Sequence, residues 1–362
     1  MRDNDEEGAG VEPYRWGYRG SDGVMALSGD TDANAAPRPE PLRILSLTGG
    51  GRSGSTILGN VLGQASGLFH AGEVCYLWNR GVQQDALCGC GRQFSECPVW
   101  QEVMATTGMD VDAAALERLI RFPRAGNRRL PLLMLSRRLA RRAADAAEEY
   151  AAHLGVTYAA ISAATGAEMI IDSSKTPSHI DALSRMPNLD LRVVHLLRDP
   201  RAVAHSWHRR LARDDVGADR PREMDRAGIA RGALKWGFSN AFIEAAVRAL
   251  PRDRVLRIHY EEFARHPAQV AHRVLAFAGV PDAALPFASE NEIDLRATHT
   301  VWGNPNRLKT GATRLRADDA WRTEMSLGHR AVVTGITLPW LLHYGYRPTS
   351  SAGGAESRNA SA

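Results

Sequence analysis

At 362 residues with 44% apolar side chains, the chain can bury one large core, which excludes disorder throughout. Its first 40 residues carry nine acidic against four basic side chains, so the +4 of the whole chain leaves +9 on the remainder. That balance favours an anionic ligand, whether nucleotide, nucleic acid or membrane surface. No apolar run reaches the roughly 18–20 residues that span a bilayer, and the N-terminus lacks a signal-peptide pattern. The expectation is therefore a cytoplasmic protein with no transmembrane segment.

Residues 1–40, rich in Gly, Ala, Asp and Glu, read as a disordered tail, and the folded domain is expected over residues 41–347. Residues 42–47 (LRILSL) are the first strand signal, ending in three glycines before a helix-like stretch at 55–64. Strand, Gly-rich turn and helix form a phosphate-binding arrangement. After that helix, LFHAGEV offers His70 and Glu73 as candidate bases. A helical insertion is expected at about 100–165; within it, residues 118–142 carry nine arginines among leucines and two prolines. They read as a solvated basic helix pair covering the sheet, with a lid over an acidic acceptor or a peripheral membrane contact as alternatives.

Residues 168–171, 192–197 and 254–259 read as further strands, each followed by helical spacing of apolar residues. The alternation predicts an α/β fold with a P-loop-like parallel sheet flanked by helices. After a loop rich in Gly, Asn and Pro, helices are expected at about 318–327 and 331–343. Residues 348–362 are small and polar and read as a second disordered tail.

Residues 49–56 read GGGRSGST. Against G-x-x-x-x-G-K-[ST], Gly49, Gly54 and Thr56 are in register, but Ser55 stands at the lysine position. In nucleoside triphosphatases that lysine neutralises the β- and γ-phosphates. Backbone N–H groups, the positive helix end, the hydroxyls of Ser53, Ser55 and Thr56 and the Arg52 guanidinium still make an anion cradle. It suits a ligand less charged than a triphosphate and requires no metal.

Residues 192–210 read RVVHLLRDPRAVAHSWHRR. Arg198 ends a strand, Asp199 and Pro200 begin a helix as cap and first-turn proline, and Ser206 follows about two turns in. At these residues the chain resembles the PAPS-dependent sulfotransferase superfamily, in particular its bacterial members. There, a strand-ending arginine and a serine eight positions later bind the 3′-phosphate of 3′-phosphoadenosine 5′-phosphosulfate (PAPS). The resemblance implies that Gly51, Arg52, Ser53, Gly54, Ser55 and Thr56 hold the phosphosulfate and that Arg198 and Ser206 hold the 3′-phosphate. Arg210, one turn beyond Ser206, could reach the same phosphate, and Tyr260 would lie near the adenine or ribose. In THTVWGNPNRLKTG, the resemblance implies closure over the nucleotide through Asn304, Arg307 and Lys309.

The loop and base pattern is similar to the tyrosylprotein branch, where R-S-G-[ST]-T is followed by a G-E dipeptide with its glutamate 21 positions past the loop arginine. Glu73 lies 21 positions past Arg52. The resemblance implies Glu73 as general base, with His70 as second choice, and Arg52 and Lys175 (in IIDSSKTP) as stabilisers of charge on the leaving phosphate. Asp172 and Ser173 are expected to shape the turn. The expected reaction is in-line sulfuryl transfer from PAPS to a hydroxyl acceptor (sugar, glycolipid, phenolic or peptide), yielding 3′,5′-adenosine diphosphate without a metal. A P-loop small-molecule kinase and a non-catalytic nucleotide-binding protein are the alternatives. No DNA- or RNA-binding motif accompanies the basic stretch, and nothing in the sequence specifies an oligomeric state.

CGCGRQFSECPVW places Cys88, Cys90 and Cys97 within ten residues, and similar CGCG stretches occur in bacterial members of the family. The spacing lacks the C-x-x-C pair of zinc sites, so the reading is free thiols in a substrate-covering loop. A structural zinc completed by Cys75, His70 or another ligand, and a local disulfide, are the alternatives.

Overall fold

The computed structural model describes residues 40–109, 111–133, 137–209 and 227–348, without the side chains of 124–143. Residues 1–39, 349–362, Arg210 and residues 134–136 of the arginine-rich stretch lie outside the described residues. In chain order, β1 (Leu42–Thr48) leads through the glycine loop to α1 (Ser55–Leu62) and β2 (Leu68–Gly72). Three helices follow, α2 (Pro98–Thr107), α3 (Ala113–Leu133) and α4 (Arg137–Thr165), before β3 (Met169–Asp172) and α5 (Pro177–Ser184). Next come β4 (Leu189–Leu197), α6 (Pro200–His208), α7 (Ile229–Val247), β5 (Val255–His259), α8 (Tyr260–Arg265) and α9 (Pro267–Phe277). Short strands β6 (Phe287–Ser289), β7 (Glu292–Leu295) and β8 (Gly311–Arg314) precede α10 (Trp321–Glu324) and α11 (Leu327–His343).

The first five strands form a parallel sheet in the order β2-β3-β1-β4-β5, with Ile44 level with Ile170 on one side and Leu191 on the other. Helices cover both faces, so strand residues are buried alternately into two cores. Ile44, Ile170 and Val193 pack with Trp78, Trp100, Tyr158 and Ile161 beneath the inserted helices. Leu45, Leu47, Ile171, Val194 and Leu196 pack with Leu58, Val61 and Leu62 of α1 and with Val270 and Val274 of α9. The insertion is helical as expected, and the inner faces of α3 and α4 reach the core through Leu119, Tyr150, Leu154 and Tyr158.

Three elements differ from the sequence reading. β2 did not register as a strand, because His70 and two small residues interrupt its five-residue run (LFHAG) and its pairing to β3 carries an irregularity. The antiparallel sheet β6-β7-β8 also went unread; its strands have three or four residues and owe their shape to mutual pairing. The helix expected over 318–327 shrinks to the four residues of α10. Arg198 binds both the backbone and the side chain of Asp318, and Ser326 caps the following helix by accepting from His329 N at 3.2 Å. Both ends of that stretch are thereby held out of one continuous helix.

Candidate active site

The loops after all five parallel strands share one sheet edge, with the glycine loop following the central strand. β1 is flanked by β3 and β4, and chain direction across the sheet reverses there, the position where open α/β sheets bind ligands. Glu73 follows β2, Lys175 follows β3, Arg198 follows β4 and Tyr260 follows β5.

The loop's glycines answer to close approach and handedness. A Cβ on Gly49 would stand 2.2 Å from the Leu196 carbonyl oxygen, and Gly54 caps α1 at φ 94 with its Cα facing the Tyr260 ring. Arg52 itself takes φ 70, and Ser53 N donates to Gly50 O at 3.1 Å, so the turn folds on itself and α1 begins inside it. The Ser53 and Ser55 hydroxyls are buried, and neither has a hydrogen-bond partner among the described residues. An unpaired buried hydroxyl costs about 1–3 kcal/mol. Two of them at a helix N-terminus fit an anion that accepts from both.

Arg198 is buried beneath this loop. It donates to Arg52 O at 3.0 Å and to Asp318 Oδ2 at 3.1 Å, and its guanidinium stacks 4.5 Å from the Tyr260 ring centre. Burial pulls the Asp318 carboxyl upward, but the Arg198 charge and hydrogen bond outweigh it and hold the group below its ordinary value. Burial also raises the Tyr260 hydroxyl, against the pull of Arg198. Asp199 caps α6, accepting from Arg201 N at 2.8 Å, and its carboxylate is gripped by the Arg201 guanidinium. The second arginine of R-D-P-R thus holds the turn, while the first faces the loop. Ser206 is half-buried on α6, and its neighbour Trp207 lies against Gly51, with the Arg52 guanidinium 4.9 Å and Lys235 Nζ 3.9 Å from its ring centre.

Glu73 and Lys175 form an ion pair, with side chains only 13% and 16% exposed, and Lys175 Nζ also donates to Ser173 O at 3.2 Å. Glu73 N donates to Trp302 O at 3.1 Å. His70, the second-choice base, sits behind this pair. Its ring nitrogens meet Asn60 Oδ1 at 3.1 Å and Ser173 Oγ at 3.2 Å, and burial, opposed by Asp172, takes its pKa down to about 3. A buried ring engaged at both nitrogens, with its basicity lowered, is poorly disposed to accept a further proton. Asp172 shapes the turn, accepting from Ser174 N at 2.8 Å and from the Tyr158 hydroxyl and His179 Nε2 at 2.6 Å each.

The C-terminal segment is joined to the loop helix through Asn304 N, which donates to Thr56 Oγ1 at 3.4 Å. The Asn304 side chain is occupied in capping its own turn, accepting from Asn306 N at 3.0 Å, and Lys309 is exposed. Arg307 has no exposed surface. It donates to Leu87 O at 2.8 Å and stacks 5.3 Å from the Trp302 ring centre, so the expected nucleotide contact meets a side chain that braces the wall instead. Two residues near the loop were not singled out from the sequence. Trp207 stood beside Ser206 and could have been read from that neighbourhood, whereas Asp318 carries no local signal.

Comparison with known proteins decides the family. A model described as "Sulfotransferase family" matches residues 45–284, which hold the glycine loop, Glu73, Lys175, Arg198 and Tyr260. The chain belongs to the sulfotransferase family. Its members are PAPS-dependent, and the buried loop hydroxyls fit such an anionic donor. Carbohydrate sulfotransferase 3 of Homo sapiens is 30% identical over 195 residues, covering 50% of this chain and 39% of that protein. Carbohydrate sulfotransferase 5 of Mus musculus is 36% identical over 110 residues, covering 26% of each. The chain spans less than half the length of the curated relatives it matches. Among solved structures, the sulfotransferase domain from the curacin biosynthetic pathway aligns with TM-score 0.46 at 18% identity, over 85% of this chain and 98% of that one. Among the described residues no helix is long and apolar enough to cross a membrane.

Proposed function

We propose that this sulfotransferase-family chain moves a sulfuryl group from PAPS to a carbohydrate hydroxyl, with Glu73 removing the hydroxyl proton. The observation that carries the reading is the meeting of a lysine-free anion loop, a buried arginine beneath it and a shielded Glu73–Lys175 pair at one sheet edge. PAPS would supply an activated sulfuryl group whose departure leaves charge on a phosphate. Loop N–H groups from Gly51 to Thr56, with the Ser53, Ser55 and Thr56 hydroxyls, would hold that phosphate in line with the acceptor. Arg52 and Lys175 would follow the charge onto the bridging oxygen, and the acceptor's proton would pass to the Glu73 carboxylate.

Arg198 and Ser206 would take the 3′-phosphate, with Arg210, outside the described residues, as a third contact. Asp318 then competes for Arg198, and donor binding must displace it. Tyr260 would border the ribose or adenine, and Asn304 and Lys309 would flank the nucleotide. A sugar acceptor is supported by the curated relatives, which are carbohydrate sulfotransferases by name, over the part of them that this chain spans.

Calorimetric titration with 3′,5′-adenosine diphosphate beside ATP and Mg²⁺ tests the donor without an acceptor. The expected result is bisphosphate binding on the order of micromolar Kd, near −8 kcal/mol, with at least tenfold loss in Arg198→Ala. Preference for ATP with Mg²⁺ would favour a kinase and overturn the reading. Transfer of radiolabelled sulfate from PAPS to a panel of sugars, phenols and tyrosine peptides then tests the acceptor class. Labelling of phenols or peptides alone would refute the carbohydrate assignment.

A further inference from the structure

The cysteines grouped in residues 88–97 take no part in the proposed sulfuryl transfer. In the fold they acquire a fourth companion, His299, which lies 202 positions beyond Cys97 in sequence and brings its Nδ1 to 3.2 Å from Cys97 Sγ. The three sulfurs and a ring nitrogen of His299 all lie within 4.8 Å of one another. Cys88 and Cys97 are buried, while Cys90 and His299 are half-buried, so the cluster adjoins solvent on one side. Neither fourth ligand that the sequence offered by name joins it. His70 is engaged by Asn60 and Ser173, and Cys75 stands by Ser174, to whose hydroxyl its backbone N–H donates at 3.0 Å.

The donors are presented by three separately anchored segments. Cys88 and Cys90 ride a tight turn closed by the Leu87–Gln93 bridge, by Cys88 N donating to Arg92 O at 2.8 Å and by Gly91 N donating to Cys88 O at 2.9 Å. Gly91 makes that turn at φ 84. Cys97 is the residue from which α2 departs, and Gln101 N donates to its carbonyl at 2.9 Å. His299 is fixed by Trp100 Nε1, which donates to its carbonyl at 2.8 Å, and Gly89 N donates to the adjacent Thr300 O at 2.9 Å. Backbone and indole hydrogen bonds therefore hold the loop and the C-terminal segment together with the four donor atoms between them.

We propose that Cys88, Cys90, Cys97 and His299 bind a structural Zn²⁺ as a tetrahedral three-sulfur, one-nitrogen site. Zn–S bonds of about 2.3 Å and a Zn–N bond of about 2.0–2.1 Å place the four tetrahedral ligand atoms roughly 3.5–3.8 Å apart, a separation that small side-chain rotations reach from this cluster. A disulfide would account for two of the four donors and leave a thiol and an imidazole facing it; one tetrahedral cation accounts for all four. Thiolates with an imidazole select zinc over magnesium or calcium. Four protein ligands leave no position for substrate, so the ion's work is structural.

The ion would clip residues 87–97 to the segment that begins at His299. Three residues on, that segment gives its Trp302 carbonyl to Glu73 N, and Asn304 N then reaches Thr56. The metal thereby steadies the wall on which both Glu73 and the loop helix lean. This inference goes beyond sulfuryl transfer and does not depend on it.

The test uses the full chain, purified without chelator, dialysed extensively and kept reduced. Elemental analysis is expected to find about one zinc per chain, lost in Cys97→Ser and in His299→Ala. Since those variants risk misfolding, the wild-type chain stripped of metal under reducing conditions is titrated with Co²⁺ alone. It should develop the d–d bands of tetrahedral cobalt together with thiolate-to-cobalt charge transfer, both bleached by one equivalent of Zn²⁺. Absence of zinc from the reduced wild type, an octahedral cobalt spectrum, a Cys88–Cys97 disulfide in the peptide map of unreduced protein, or full zinc retention by Cys90→Ser/His299→Ala would each overturn the proposal.

Discussion

Replacing Glu73 with Gln separates proton removal from every other duty of this corner. The amide keeps the length of the side chain and an oxygen for Lys175, and Lys175 retains the Ser173 carbonyl at 3.2 Å, so the loop and its neighbours stay in place. What disappears is the carboxylate, and with 13% of the Glu73 side chain exposed, bulk water has little room to replace it. A positioned general base contributes about 10²–10⁴-fold, or roughly 3–5 kcal/mol at 1.36 kcal/mol per tenfold. The expected outcome is a fall of that size in kcat for labelled-sulfate transfer, with KM for PAPS and affinity for 3′,5′-adenosine diphosphate changed less than about threefold. Turnover within about threefold of wild type, with binding intact, would refute Glu73 as the base. Equal losses in turnover and bisphosphate affinity would make it a binding residue instead.

Three further outcomes follow from the packing. Gly54→Ala must adopt φ 94 and place a Cβ 2.5 Å from the Tyr260 ring, whereas Gly166→Ala, at φ 66 with no atom within 4 Å, meets handedness strain alone. Urea unfolding should find the first variant destabilised beyond the roughly 1–2 kcal/mol expected for the second; equal losses would show that the Tyr260 contact yields freely. Buried His70 and His195 have their pKa values lowered by burial to about 3 and about 4. Both fall below the unfolded value near 6.5, so the unfolded chain binds more protons. Stability is full above about pH 6.5 and falls on acidification by about 1.4 kcal/mol per pH unit for each group. Urea midpoints at pH 7 and pH 5 measure the slope, which His195→Gln should roughly halve; a flat profile refutes it. Asp172, held at about 2 by His179 and its hydrogen bonds against the opposing pull of burial, contributes nothing to this window, since its stabilisation is lost only below pH 3.8. Arg307→Ala should lower stability by about 1–3 kcal/mol through the lost Leu87 bond and leave bisphosphate affinity unchanged; a tenfold loss of affinity at unaltered stability would make Arg307 a nucleotide contact.

The local sequence determined the parts of this protein whose physics is local. A strand running into GGGRSGST, with serine where a triphosphate-binding loop needs lysine, specifies a tight glycine turn that opens a helix. Asp199-Pro200 after an apolar run specifies a helix start, and the alternation of strands and helices specifies a parallel sheet. Elements held by partners rather than by their own pattern stayed hidden. β2 is a strand because β3 pairs with it, and the 318–327 stretch is mostly not helix because Arg198 and Ser326 hold its ends. The candidate bases show the same division. His70 and Glu73 sit three positions apart, and sequence alone favoured one only by resemblance. The fold separates them, since Asn60 and Ser173 take both ring nitrogens of His70 while Glu73 faces Lys175 at the sheet edge. Arg307 was expected at the nucleotide only by resemblance, and its complete burial could not be read from the sequence, because burial belongs to the whole chain. The cysteine cluster lacked a recognisable metal spacing for the same reason. Its fourth donor, His299, arrives from 202 residues beyond Cys97, and only tertiary packing brings donors so distant in sequence within bonding reach.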